Sequence, residues 1–323
     1  MEYRTLRNTD LKVSRVSFGT MTFGAQTDDA TSQRMIDHCI DAEVNFFDSA
    51  NIYNKGLAEA ILGKCLAGRR DKVILTSKVR GKMGDAPDEV GLSRPAIRKA
   101  IDASLKRLGT DYVDVYYLHQ PDYDTPIEET LAAMDELVKA GKVRYPAVSN
   151  YAAWQVAEIR CIAQKNGYKP PCISQPMYNL LARAIEDEYL PFCKRFGVAV
   201  IPYNPLAGGL LTGKQPRGNE PLTGTRFDNN PMYLDRYWHE DYFAAVDEVR
   251  EIAREAGKTM VELSLQWVLS QDQVDSVILG ASRLEQLDQN LKACEGPKLP
   301  KNILERCDAV WKRLRGVTPK YNR

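Results

Sequence analysis

The chain has 323 residues, with 44 Lys+Arg against 43 Asp+Glu, three His and seven Cys. A net charge of +1 leaves no basic surplus for a phosphate backbone, so nucleic acid is not expected as a partner. The seven cysteines (39, 65, 161, 172, 193, 294 and 307) are odd in number, scattered and without a CxxC pair, which argues against a disulfide framework and against a zinc site. That pattern fits a reducing compartment, and the charged start MEYRTLRNTD has no apolar signal core, so a cytoplasmic location is expected. Residues 196–213 carry no charge, yet Pro202, Pro205 and several glycines are incompatible with a lone spanning helix, and no membrane span is expected.

Residues 1–15 read as a short hairpin. Thereafter apolar, β-branched or aromatic runs alternate with amphipathic helical stretches. Strands are predicted at 16–20, 45–49, 72–78, 113–119, 142–150, 172–178, 198–205 and 275–282. Helices are predicted at 30–42, 57–67, 94–108, 127–140, 152–166, 186–196, 243–256 and 283–293, with an additional one near 258–270. Gly109, Gly141, Gly167, Gly197 and Gly257 stand where left-handed helix caps are needed. Near-continuous apolar strands imply a parallel sheet buried on both faces. Eight strand–helix units point to one (β/α)8 TIM barrel over residues 1–323, with a long loop at 206–242 after strand seven. Two doubly wound halves are the competing arrangement, weakened because no strand runs into a GxGxxG turn.

Polar residues interrupt the strands at one end. Asp48 closes strand two, Lys78 strand three and His119 strand four, while Tyr53 follows in the loop after Asp48. Each alone has an ordinary structural explanation, as a cap or a core histidine, but in a barrel these ends meet on the face that carries catalytic groups. A phenol is a poor acid–base group unless its anion is stabilised. An ammonium beside it lowers its pKa, and a carboxylate keeps the ammonium charged. Tyr53, Lys78 and Asp48 form that chain, and His119 could orient a carbonyl or assist proton transfer. No side chain here supplies a hydride, so a redox cofactor is required.

The segments FGTMTFG, NFFDSANIYNKG, LTSK, GLSR, DYVDVYYLHQPD, VSNY, YNPLAGGLLTGK and ASRLEQLDQN, in this order, resemble the aldo-keto reductase family over almost the whole chain. The resemblance implies NADP(H)-dependent reduction of an aldehyde or ketone, with Asp48, Tyr53, Lys78 and His119 as the catalytic tetrad and Tyr53 as proton donor. It implies further that Ser149, Asn150 and Gln175 hold the nicotinamide carboxamide and that Tyr203 stacks on the ring. Gly19, Thr20, Met21 and Gln26 match the turn near the cofactor, and Asp48 adjoins it. Asn204, Pro205, Leu206, Gly208 and Lys214 match the pyrophosphate cradle. Gly280, Ser282, Arg283, Gln286, Gln289 and Asn290 match the adenosine 2′-phosphate and adenine site, with Arg226 folding over the phosphates.

The aromatic stretch 227–243 reads as a lid over the substrate. Met232, Tyr237 and Trp238 are substrate candidates with Met21, Phe23, Tyr53 and His119. A small-molecule carbonyl or alcohol is therefore the expected partner. Residues 208–215 (GGLLTGKQ) nearly spell a nucleotide-triphosphate loop, but Gln215 replaces the hydroxyl residue that would ligate Mg²⁺. Pro146-Ala147 stands where the family has Ile-Gly, and Pro146 is expected to disturb the strand or its pairing. Leu279 stands where a Pro is usual. The sequence also resembles the β subunits of voltage-gated potassium channels, GLSR included. Those subunits carry Asn where this chain has His119, and they imply an alternative role as a cofactor-bound partner protein. NADP-linked oxidation of a sugar or polyol, the reverse direction, is the other alternative.

Overall fold

The computed structural model describes residues 1–319. Strands β1 (Tyr3–Thr5) and β2 (Lys12–Ser14) pair antiparallel, as the expected hairpin. Eight parallel strands follow: β3 (Val16–Gly19), β4 (Phe46–Asp48), β5 (Ile74–Val79), β6 (Val113–Leu118), β7 (Val143–Ser149), β8 (Ile173–Gln175), β9 (Ala199–Val200) and β10 (Val277–Gly280). Their order is β10-β3-β4-β5-β6-β7-β8-β9. The sheet curls round until Val200 bridges Val274 in parallel, with Asp275 N donating to Val200 O (2.9 Å) and Ile278 N to Pro202 O (3.0 Å). The architecture is thus the (β/α)8 barrel expected.

Helices connect the strands: α1 (Asp29–Asp41), α2 (Leu57–Cys65), α3 (Arg94–Leu108), α4 (Ile127–Lys139), α5 (Ala153–Asn166) and α6 (Tyr189–Phe196). After β9 come α7 (Pro231–Tyr237), α8 (Glu240–Glu255) and α9 (Met260–Leu269), then α10 (Leu284–Cys294) after β10. Local chemistry explains their ends. Ser93 accepts from Ala96 N at the start of α3, and Gly109 ends it at φ 65°. At α9, Thr259 and Glu262 cap one another's backbone amides. All five glycines named as caps have positive φ.

Two apolar layers result. The outer one lies between strands and helices. The inner one fills the barrel with Phe46, Ile74, Val115, Tyr117, Ile173, Ile201 and Ile278, and Leu6, Leu11 and Val13 of the hairpin belong to it. The hairpin therefore plugs the end of the barrel opposite the strands' carboxyl termini, leaving that other end for chemistry.

Four expectations need correction. Residues 206–242 are not all loop, since α7 (Pro231–Tyr237) lies within them. Pro146 leaves β7 unbroken: it pairs with Tyr116 on one side, and β8 joins the other side only from Val148, so the missing amide is not needed there. The strand expected at 198–205 shrinks to Ala199–Val200, because Pro202 and Pro205 cannot donate to a ladder. Helix α11 (Lys301–Arg315) was not among the predicted elements; it packs on α8, with Arg306 paired to Glu255 and Arg313 to Glu248. Leu279 is buried and continues the β10 ladder opposite Phe18.

Candidate active site

Strand register brings the strand-end polar residues together. Asp48 ends β4 and is 2% exposed, and Lys78, next to last in β5, is fully buried. Lys78 Nζ donates to Asp48 Oδ2, to Ser49 O (2.8 Å) and to the Tyr53 hydroxyl (3.3 Å). It also lies 4.9 Å from the Tyr53 ring centroid. The other carboxylate oxygen of Asp48 accepts from Thr76 Oγ1 (2.7 Å) and Gln175 Nε2 (2.9 Å). His119 meets Tyr53 edge to face, the centroids 6.0 Å apart at 77°. Tyr53 is placed by an unusual turn: Asn54 and Lys55 both have left-handed φ, and Asn54 Nδ2 donates to Phe23 O (2.6 Å) and Met21 O (3.2 Å). These bonds tie the loop after β4 to the loop after β3.

The electrostatics differ from the expectation in one respect. Removal from water raises the Tyr53 pKa and outweighs the opposing influence of Lys78, so the phenol stays protonated at neutral pH. Lys78 itself is raised: burial opposes its charge, but Asp48 and Tyr53 overcome it. His119 falls to about 3, from burial first and then from Lys78 and Arg80. It is therefore a neutral imidazole at physiological pH.

Along the neighbouring strands, Ser149 ends β7 and donates to Gln175 O (2.9 Å). Asn150, at φ 63°, donates to His119 O (2.9 Å), and its Oδ1 accepts from the Tyr203 hydroxyl (2.7 Å). Thr20 donates to Asp48 O from its amide (2.9 Å) and its hydroxyl (3.1 Å). Ser149, Asn150, Gln175, Tyr203 and Thr20 thus ring the Asp48–Lys78 pair. Gly19 sits so close to β10 that a Cβ would lie 2.9 Å from Ile278 Cγ2. Met21 is 41% exposed at the rim, and Arg226 reaches over to its sulfur (3.3 Å). Gln26 is exposed nearby.

The chain from Asn204 is sharply turned. Asn204, Ala207, Gly208 and Gly209 all have positive φ, and Asn204 Oδ1 accepts from Gly208 N (2.6 Å). A Cβ on Gly208 would come 2.7 Å from the Tyr233 ring. Pro205 is buried, Leu206 half-buried and Lys214 exposed. Gly280 ends β10; Gln286 Oε1 accepts from Ser282 N (3.1 Å) and Oγ (3.2 Å), and Asn290 Nδ2 donates to Gly280 O (3.3 Å). Arg283 and Gln289 are exposed at the start of α10 and along it.

The lid candidates divide. Met232 is 52% exposed. Phe23 and Tyr237, expected to face the substrate, are instead fully buried. Phe23 packs on Phe18, and the Tyr237 hydroxyl accepts from Asn179 and Asn204 and donates to Met177 Sδ. Trp238, half-buried, is wedged between Phe227 (5.0 Å) and Phe243 (4.9 Å) within the aromatic segment. At Tyr237 the expectation failed because a dense aromatic segment builds its own core before it can line a cleft. Two residues escaped the sequence reading. Tyr233, 7% exposed, carries the guanidinia of Arg226 and Arg236 over its ring, 5.6 and 5.5 Å from the centroid. Thr76 binds Asp48; its place two residues before Lys78, on the same face of the strand, was the available signal.

Similarity to known proteins agrees with this geometry. The aldo/keto reductase family profile matches residues 15–312. A rice protein described as a probable voltage-gated potassium channel subunit beta is 37% identical, over 99% of this chain and all of its own length. Human aldo-keto reductase family 7 member A3 is 36% identical, over 94% of this chain and 96% of its own. Mouse aflatoxin B1 aldehyde reductase member 2 is 36% identical, over 94% and 86%. The chain belongs to the aldo/keto reductase family.

Proposed function

We propose that this protein reduces an aldehyde or ketone to an alcohol with NADPH, Tyr53 donating the proton. The observation that carries this reading is the buried Asp48–Lys78–Tyr53 chain, with neutral His119 beside the phenol. Lys78 holds the Tyr53 hydroxyl from below and stabilises the phenolate left after proton transfer. Asp48 keeps Lys78 charged. Neutral His119 can donate a hydrogen bond to the carbonyl oxygen and so orient it toward Tyr53.

A dinucleotide suits the surrounding residues. Lys214, Arg226 and Arg283 have no carboxylate within 4.0 Å among the described residues, so three cations on this face are unpaired. Ser149, Asn150 and Gln175 offer amide and hydroxyl groups to a carboxamide, Tyr203 a ring face, and the turn 204–209 and the start of α10 a phosphate cradle. When bound, a reduced nicotinamide supplies the hydride.

The test is NADPH consumption with a panel of aldehydes and ketones. Tyr53→Phe should lower kcat by about 10²–10⁴-fold while leaving NADPH affinity unchanged. No consumption by the wild-type protein across the panel would defeat the proposal. A second reading, as a partner of a membrane channel, is favoured by the description of the rice relative. It requires a stable complex with such a channel and negligible turnover.

A further inference from the structure

Arg80 stands two residues beyond Lys78, where the chain leaves β5, and its φ is 132°. The other non-glycine residues with positive φ, among those described, lie between 48° and 63°, the ordinary left-handed region. A side chain at 132° is held against steric strain, the kind that clusters at functional sites. The strain is pinned from both sides: Gly91 N donates to Arg80 O (3.0 Å), and His119 N to Val79 O (3.0 Å). The half-buried Arg80 meets the Gln120 carboxamide, next to His119; with the amide turned so that its oxygen faces the guanidinium, that oxygen accepts from Nη1 (2.5 Å) and Nε (3.3 Å). Among the described residues no carboxylate lies within 4.0 Å of it. Asp122, on the same loop, instead accepts from Leu92 N (2.7 Å) and the Thr125 hydroxyl (2.9 Å).

A guanidinium has five N–H donors, and Gln120 engages two of its nitrogens. What remains is a cation fork with no carboxylate partner among the described residues, held against Gln120, the residue after His119. An arginine needed only for solubility would not require a strained backbone, since a glycine there would be relaxed. We propose that Arg80 selects carbonyl substrates that carry an oxyanion, a carboxylate or a phosphate, near the reacting carbonyl. The inference rests on the reductase reading above. A charge-assisted, two-pronged contact of this type discriminates strongly because a neutral analogue leaves the cation without its partner.

The experiment compares kcat/KM for matched pairs: carboxybenzaldehyde against its methyl ester, and glyceraldehyde phosphate against glyceraldehyde. In Arg80→Met, the value for the charged member should fall about ten- to hundredfold more than for its neutral partner, chiefly through KM. Arg80→Lys, which keeps charge but not the fork, should fall between. Arg80→Gly removes the cation while relieving the backbone, so it supplies a folded variant should Arg80→Met destabilise the protein. The pair whose ratio collapses identifies the group recognised. Turnover of all four compounds with ratios unmoved by either variant overturns this inference alone. Absence of turnover with all four overturns the reductase reading and this inference with it.

Discussion

Replacing Asp48 by Asn tests the central electrostatic claim. Asn fills the same space, and its carboxamide oxygen can still accept from Thr76 and Gln175. What disappears is the negative charge facing Lys78, which is fully buried. Two outcomes are open to the ammonium. If it stays charged without its partner, the loss of stability is about 3–5 kcal/mol. If it deprotonates, folding must hold neutral a group with an unfolded pKa of about 10.4, which costs about 4.6 kcal/mol at pH 7. For a single cooperative unit of 323 residues, both routes give a drop in Tm of roughly 4–7 °C.

The pH dependence adds a signature with a definite sign. In the wild type the Lys78 pKa is raised on folding, so its contribution is fully present below the unfolded pKa and is lost only as pH rises through the folded one. Between pH 7 and 9 it is constant. In the deprotonated variant the folded pKa is depressed and the unfolded state binds the extra proton, so stability rises with pH. The penalty shrinks to about 2 kcal/mol at pH 9. Thermal unfolding at the two pH values, with Asp48→Asn/Lys78→Met as the variant that removes both charges, measures this. A loss below about 1 kcal/mol that is the same at both pH values would refute the coupling of Asp48 to Lys78.

Two further outcomes follow from the same geometry. Because the His119 pKa lies at about 3, the pH profile of reduction should lack an acid limb near 6.5 and stay level from pH 5 to 8 in kcat/KM measurements; a midpoint near 6.5 would place a titrating imidazole in the reaction. Leu6, fully buried in the hairpin plug, should cost about 2–5 kcal/mol as Leu6→Ala without changing NADPH affinity, since it lies at the end of the barrel away from the residues proposed to hold the cofactor. Equilibrium unfolding and cofactor titration separate the two effects.

The barrel was legible in the sequence because its signals are local. Apolar runs of strand length, amphipathic stretches and glycines at helix ends repeat with one period, and each is readable within about a dozen residues. Helices α7 and α11 were missed since no strand follows directly on either, so the alternation that identified most of the others is absent there. The length of β9 was overestimated because apolar composition persists through Pro202 and Pro205, although neither can join a ladder. At the site, the residue types were equally legible: a carboxylate, an ammonium and an imidazole at strand ends are rare enough to stand out, and register alone brings strand ends to one face.

Tertiary structure decided what those residues experience. Burial raises Tyr53 in spite of Lys78 and holds His119 neutral, a balance of desolvation against charge that depends on depth and has no trace in residue order. It likewise decided that Phe23 and Tyr237 pack inward while Arg236 lies over Tyr233, because the facing of an aromatic side chain is set by what its neighbours exclude from water. Periodicities and the chemical alphabet of the site are written in residue order, since both are carried by neighbours in the chain. Solvent exposure, the partner of each charge and the strain at Arg80 come from contacts between residues far apart in that chain, which only the closed barrel brings into reach.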